Sequence, residues 1–436
     1  MMPLIRLFRL ALLGVLGLAL PVATQRADAQ TIHVSPSLGG VDVPGYSLFL
    51  VAQGGANRTV NSGAAEVGPD GATVRFMTTD VPVRMASISK VAVALALHRL
   101  AEAGRLSLDD EASTHLGWTL RNPAHPKVPV TIRQMMRHES SLSDAGGYTF
   151  PLGEQLKDRL GPNSWSRAAP GTAFDYANLN QAILGQLIEQ VTGKRFDIAM
   201  QELVFVPLQI EACFNWSQCP PGFAEKGAVL YRKAPSSEGP WNPDGPWVAQ
   251  VDARRPGDCP VRVAEGAPCD LPAYVPGTNG ALFSPQGGMR ISVHELGLLG
   301  LRLLDPEAGF LKPDTIASLF RPVAVKPGGT GEETDTGLMQ YWSEGGLHCF
   351  SGTGKPGGDQ PLSPQPLQGC GHLGNAYGLL SGLVIDPGAG TVVAYALTGT
   401  SAPPPPGRVS RFSAPEEDLL SRAADWLGAR SSPSPH

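Results

Sequence analysis

The chain has 436 residues, 42% of them hydrophobic and 17% charged, enough for a large packed core and two domains. Its formal net charge of −5 comes without a basic stripe, so neither nucleic acid nor an anionic membrane surface is expected as a partner. The 52 glycines and 41 prolines separate strongly periodic segments, which predicts long ordered loops rather than a disordered chain.

The N-terminus reads as a targeting segment. Arg6 and Arg9 form a positive region, Ala11 to Ala23 a short apolar run, and Ala27-Asp28-Ala29 a small-x-small cleavage site. Residues 1–29 are therefore expected to be a cleaved signal peptide, the run being short for a membrane span. This predicts a periplasmic or secreted protein with no membrane attachment after cleavage. The six cysteines agree, falling as the local couples Cys213/Cys219, Cys259/Cys269 and Cys349/Cys370. Nearest-neighbour pairing costs the least loop closure, so three disulfides are expected in an oxidising compartment. No C-x-x-C or H-x-x-x-H spacing supports a metal site.

Tyr46 to Ala52 alternates loosely and ends at Gln53-Gly54-Gly55, a strand into a turn. Short strands are expected near Ala64–Val67 and Thr73–Met77. A helix then starts in Arg84-Met85-Ala86-Ser87-Ile88-Ser89-Lys90 and stays apolar to Leu97, so little of it faces water. Gly104 closes it. Ser87 and Lys90 share one face of the first turn, beside free N–H groups and the positive end of the helix dipole. That setting suits a nucleophile whose tetrahedral intermediate needs an oxyanion site. Lys90 could take the hydroxyl proton if its surroundings keep it neutral. The competing reading is an N-cap serine with a snorkelling lysine. Against it, a lysine in a first turn opposes the dipole, and stability gives no reason for that choice.

Thr131-x-x-Gln134 is a capping box, and its helix breaks near His138, read as a capping or packing residue rather than a catalytic one. Gly171 to Asn178 is a loop of small and polar residues leading into a helix with Ile183, Leu184, Leu187, Ile188 and Val191 on one face and Gly193 at its end. Asn178 fits an N-cap. Tyr176 fits either a half-buried aromatic or, beside a lysine, a proton carrier. From Ile210 to Gly277 periodicity fades into a Trp-, Pro- and Gly-rich excursion that carries two cysteine couples, and such loops often cover sites. Ser292-x-x-Glu295 reads as another capping box, with a helix through Leu304. A second excursion, Cys349 to Cys370, closes onto Gly371-His372-Leu373-Gly374-Asn375. Tyr377–Ile385 and Thr391–Leu397 form a hairpin, and Ser413 starts a last helix with Leu419, Leu420, Ala423 and Leu427 inward.

Three polar clusters thus stand in order: Ser87-x-x-Lys90, Tyr176-x-Asn178 and His372-x-Gly374. With Leu106 to Asp110, Met136 to Leu142, Gly287-Gly288-Met289 and Gly378-Leu379, this arrangement resembles the serine β-lactamase/penicillin-binding-protein superfamily. It is most similar to the class C-like branch of esterases and D-amino-acid-specific peptidases. The resemblance spans about Tyr46 to Leu427. It implies an α/β (α+β) sandwich, an antiparallel sheet flanked by helices with an inserted mostly helical domain. The implied division is 30–110 plus 277–430 for the sheet domain, 111–276 for the insert and 431–436 for a frayed tail. It also implies Ser87 as nucleophile, Lys90 and Tyr176 sharing the acid–base work, and Asn178 positioning Lys90 and the substrate. The N–H groups of Ser87 and Asn375 would form the oxyanion hole. His372 would line the site, donating to substrate or to Tyr176.

His372-Leu373-Gly374 departs from the lysine-threonine-glycine of many relatives. A largely neutral histidine and a missing hydroxyl weaken the case for efficient β-lactam hydrolysis. The expectation is a cofactor-free exported serine hydrolase acting on an ester or amide of a small or D-amino-acid-like acyl group, with a small molecule or short peptide as substrate. The alternatives are a β-lactamase or peptidoglycan DD-carboxypeptidase, and a non-catalytic module that binds cell-wall fragments.

Overall fold

The structure, a computed structural model, describes residues 36–253, 259–329, 338–352, 358–362 and 367–424. The expected signal at 1–29, the tail at 431–436 and Leu427 lie outside these residues. No described helix is long and apolar enough to cross a membrane.

The strands that frame the molecule are, in chain order, β1 (Gly45–Ala52), β2 (Asn57–Val67), β3 (Thr73–Phe76), β4 (Pro82–Arg84), β5 (Ala212–Phe214), β6 (Met289–Ser292), β7 (Pro322–Ala324), β8 (Tyr341–Ser343), β9 (His348–Phe350), β10 (Gly369–Ala376), β11 (Leu379–Asp386) and β12 (Thr391–Leu397). Nine of them form one antiparallel sheet in the order β7-β8-β9-β10-β11-β12-β1-β2-β3. The predicted hairpin is its centre, and β12 pairs with β1 from Leu397↔Tyr46 to Thr391↔Ala52. Every residue of β1 is buried, because the strand faces two cores. Phe49 and Val51 point into the larger one, while Leu48 and Leu50 point into the smaller one with Leu419 and Leu420.

The helices that position the site are α1 (Ser89–Glu102), α2 (Leu179–Thr192), α3 (Val293–Leu304) and α4 (Ala414–Ser421). α3 lies close on the sheet because Gly297 and Gly300 have no side chain there. A Cβ would come within 2.4 Å of the Phe49 ring at Gly297 and 2.6 Å of Val392 at Gly300. α1 is buried continuously from Ser89 to His98, as its apolar run predicts. A helix without an exposed face is a core element, stabilised by packing rather than by propensity.

Of the two capping boxes expected, one forms in full. Thr131 and Gln134 form the reciprocal box, and Ser413 and Glu416, read only as a helix start, form another. Ser292 accepts from Glu295 N at 3.1 Å, but the Glu295 carboxylate turns away to accept from Glu211 N at 3.0 Å. The tertiary partner displaces half of the predicted box.

All three disulfides form as paired in sequence: Cys213–Cys219, Cys259–Cys269 and Cys349–Cys370. The segment 111–276 carries α2 and short helices at Ile132–Met136 and Phe196–Met200, then turns to strands. β5 pairs with β6, whose other edge takes β4. Leu230–Lys233 pairs with Trp247–Val251 and, in parallel, with Gly399–Thr400. These strands are too short for a period-2 signal, so the sequence reads them as loop.

Candidate active site

Ser87 sits in a single 3₁₀ turn, Ala86–Ile88, that leads directly into α1. The turn is held under strain: Ala86 has φ +46°, in the left-handed region that a side chain disfavours. Several contacts fix it. Ser89 Oγ donates to Ala86 O at 2.7 Å and accepts from Met289 N at 2.9 Å, and Ser381 Oγ donates to Met85 O at 3.2 Å. Gly374 lets β10 approach, since a Cβ there would meet Met85 O at 2.5 Å and Ser381 Oγ at 2.3 Å. The glycine of the third cluster thus brings the third element against the first.

Lys90 is 3% exposed. Its Nζ donates to Ser87 Oγ at 2.9 Å, Asn178 Oδ1 at 2.8 Å and Gln286 O at 3.1 Å. The Tyr176 hydroxyl donates to Ser87 Oγ at 3.1 Å, and Lys90 Nζ lies 4.9 Å from the centre of the Tyr176 ring. Ser87, Lys90, Tyr176 and Asn178 therefore form one connected group from two helix N-termini and a loop.

Asn178 begins α2, but its side chain makes no cap. The cap comes from Asp144, unmarked in the sequence reading. Its Oδ2 accepts from Asn178 N at 2.8 Å and Asn178 Nδ2 at 2.9 Å, and its Oδ1 accepts from Leu179 N at 2.8 Å. With its Nδ2 turned to Asp144, Asn178 presents its Oδ1 to Lys90.

Behind Tyr176 lies an aromatic wall. The His138 ring stacks on Tyr176 at 4.3 Å, and Trp342 meets both edge-on. His138 has φ +55° and accepts from Ala177 N at 3.1 Å through Nδ1. It is the packing residue its position suggests. His372 belongs to this wall. It is 1% exposed, its ring centre is 6.2 Å from that of Tyr176, and its Nε2 has no hydrogen-bond partner. It is not among the residues that line the cavity over Ser87, whereas its place in the third motif led to the expectation of a lining residue. The short β8 and β9 bring Trp342 and His348 against it and close it off. Burial, then the charge of Lys90, pushes both His138 and His372 well below the usual imidazole range, so both are neutral.

A cavity of about 630 Å³ opens over Ser87, lined also by Asn178, Asn375, Tyr148, Trp216 and Arg84. Asn375 and Ser87 both line it. Among the described residues no group of three or more His, Cys, Asp or Glu converges to hold a metal.

The model of the Beta-lactamase family matches residues 39–414. The chain belongs to the Beta-lactamase family. Esterase EstB of Burkholderia gladioli is 32% identical over 199 residues, 41% of this chain and 47% of that protein. Penicillin-binding protein 4 of Amycolatopsis lactamdurans is 28% identical over 172 residues, 38% of this chain and 43% of that protein. The chain thus spans less than half the length of these relatives. Among solved structures, D-amino acid amidase from Ochrobactrum anthropi SV3 shares the fold with a TM-score of 0.58 at 19% identity, covering 89% of this chain and 95% of that one. The penicillin-binding protein homologue from Pyrococcus abyssi does so with a TM-score of 0.60 at 18% identity, covering 88% and 74%. The mixed α/β architecture with its antiparallel sheet is that of the family.

Proposed function

We propose that the chain is an exported serine hydrolase that forms an acyl-enzyme on Ser87 from an ester or amide. One observation carries this reading: Ser87 Oγ stands within hydrogen-bond reach of Lys90 Nζ and Tyr176 Oη at once, at the floor of an open cavity. The three acceptors around Lys90 Nζ match the three hydrogens of an ammonium. Lys90 then acts as the fixed charge that holds Tyr176 as a phenolate in the reacting state, and this phenolate takes the Ser87 proton to become the neutral phenol. The Ser87 oxygen bonds the substrate carbonyl carbon, and the oxyanion rests on the N–H groups of Ser87 and Asn375. Tyr176 returns the proton to the leaving group, and a water repeats the sequence to release the acid. Asn178 holds Lys90 in place. The neutral His138 and His372 add no charge to compete with that of Lys90.

The similarity to an esterase and to a penicillin-binding protein supports acyl transfer as the reaction class. The three disulfides support an oxidising compartment. The test is hydrolysis of p-nitrophenyl acetate. Ser87→Ala is expected to lower kcat at least about a thousandfold. Equal turnover by both proteins would remove the reading, as would acyl labelling at another residue.

A further inference from the structure

β4 and β6 place Arg84 directly opposite Arg290 on an antiparallel pair, and both side chains line the cavity that holds Ser87. Like charges facing each other across two strands are destabilising, so this pair calls for an anion. Arg290 has one. Its Nη2 donates to Asp252 Oδ1 at 2.7 Å, and its Nη1 donates to Asn215 Oδ1 and Gly288 O, both at 2.7 Å. Asp252 Oδ1 also accepts from Trp216 Nε1 at 2.8 Å, so the hydrogen bonds of that carboxylate go to Arg290 and Trp216.

Arg84 has no carboxylate partner among the described residues. Its Nε is buried without a hydrogen-bond partner, and its guanidinium carbon lies 4.8 Å from the centre of the Tyr377 ring. Burial and then the charge of Arg290 lower Arg84 to about 10, which leaves it protonated at neutral pH. Two guanidiniums therefore face one carboxylate, a surplus positive charge within an acidic chain, and the exposed Arg262 on the same cavity adds to it. The third motif contributes no fixed charge, because His372 is neutral and turned into the aromatic wall.

We propose that Arg84 is a specificity-determining residue that binds a carboxylate of the acyl donor, making the natural substrate an ester or amide that carries a second, ionised acid group. The guanidinium fork suits a carboxylate in two parallel hydrogen bonds. Arg84 ends β4 three residues before the nucleophile, and both line the same cavity. This inference rests on the hydrolase reading, and the test separates the two.

Two matched ester pairs probe it in the full chain. p-Nitrophenyl hemiglutarate against p-nitrophenyl valerate puts the carboxylate on the acyl side. The valeryl ester of 4-hydroxybenzoate against that of 4-hydroxybenzamide puts it on the leaving group. The wild type is expected to favour the ionised member of one pair by about tenfold or more in kcat/KM, the effect of one charge-assisted hydrogen bond. In Arg84→Gln that ratio collapses toward one, and Arg84→Lys restores part of it. Neutral esters turned over without preference in either pair overturn the Arg84 assignment and leave the hydrolase standing, as does a preference that survives Arg84→Gln. If no ester is turned over, the hydrolase reading fails and calorimetry decides on Arg84. Glutarate binding to Ser87→Ala that Arg84→Gln abolishes keeps the anion site, and equal or absent binding removes it.

Discussion

Asp144 shows how much of this site hangs on one carboxylate that touches none of the reacting atoms. It satisfies two backbone N–H groups at the start of α2 and turns the Asn178 amide so that its oxygen meets Lys90. Removing it leaves donors unpaired in a partly buried place and frees the amide to flip, which would set an N–H against an ammonium. Asp144→Ala is expected to lower kcat about tenfold or more with a smaller change in KM, and to cost about 2 kcal/mol of stability for the lost cap. Asp144→Asn keeps one acceptor and falls between. Steady-state kinetics on p-nitrophenyl acetate beside urea unfolding separates the two effects. An unchanged kcat in a destabilised Asp144→Ala protein would reduce Asp144 to a cap.

At the scale of elements, the N-terminal half of the site is braced by α2, and α2 by a second carboxylate. Glu189, near its C-terminal end, accepts from Phe196 N at 2.8 Å, Gly277 N at 2.7 Å and Tyr274 Oη at 2.5 Å, clipping the end of the long excursion to the helix. Burial raises Glu189 to about 7, against the hydrogen bonds that lower it. A carboxyl group raised in the folded state stabilises the fold fully below its unfolded value near 4.5 and loses that contribution as pH rises through 7. The contribution lost between pH 4.5 and pH 8 is about 3 kcal/mol for a shift of this size. Glu189→Gln removes the titration, so the wild-type unfolding free energy should fall relative to that of the variant by about 3 kcal/mol as pH rises from 5 to 8. Parallel pH profiles would show that Glu189 titrates alike in both states.

Elements of this kind were legible where their signal is local. The buried α1, the hairpin, Gly104, Gly193 and the Thr131 capping box follow from period, turn chemistry and a few neighbouring residues. The cap of α2 was not: Asn178 reads as the N-cap, but Asp144 supplies it from a distant loop, which leaves no spacing to read. The burial of His372 is of the same kind: its position in the motif is a sequence property, but its burial depends on β8 and β9 folding over it. The strand pairs around β5 and β6 are too short to alternate, so the arginine pair they create could not be seen before the register was known.

For the whole molecule, the sheet closes by pairing β1 with β12, which lie at opposite ends of the described chain. Such long-range contacts reward the fold only late, after a large loop-closure cost. The disulfides do not relieve this cost, since their sequence separations are only 6, 10 and 21 residues. They act instead as local braces, and their loop lengths rank them. Chain-entropy reasoning assigns about 3 kcal/mol to the 21-residue separation of Cys349 and Cys370, and about 2 kcal/mol to the 6-residue one of Cys213 and Cys219. The longer one also matters for the site. It joins facing residues of β9 and β10, and β10 carries both Gly374, which rests against the Ser87 turn, and Asn375 of the proposed oxyanion hole. The paired variant Cys349→Ala with Cys370→Ala should therefore lose about 3 kcal/mol of unfolding free energy and a measurable share of kcat. Cys213→Ala with Cys219→Ala should lose about 2 kcal/mol and act on the cavity wall through β5, Asn215 and Trp216. Urea unfolding and ester turnover on both variants check this. A larger kcat loss from the Cys213 pair would mean that the cavity wall, rather than β10, limits how well the reacting groups are held.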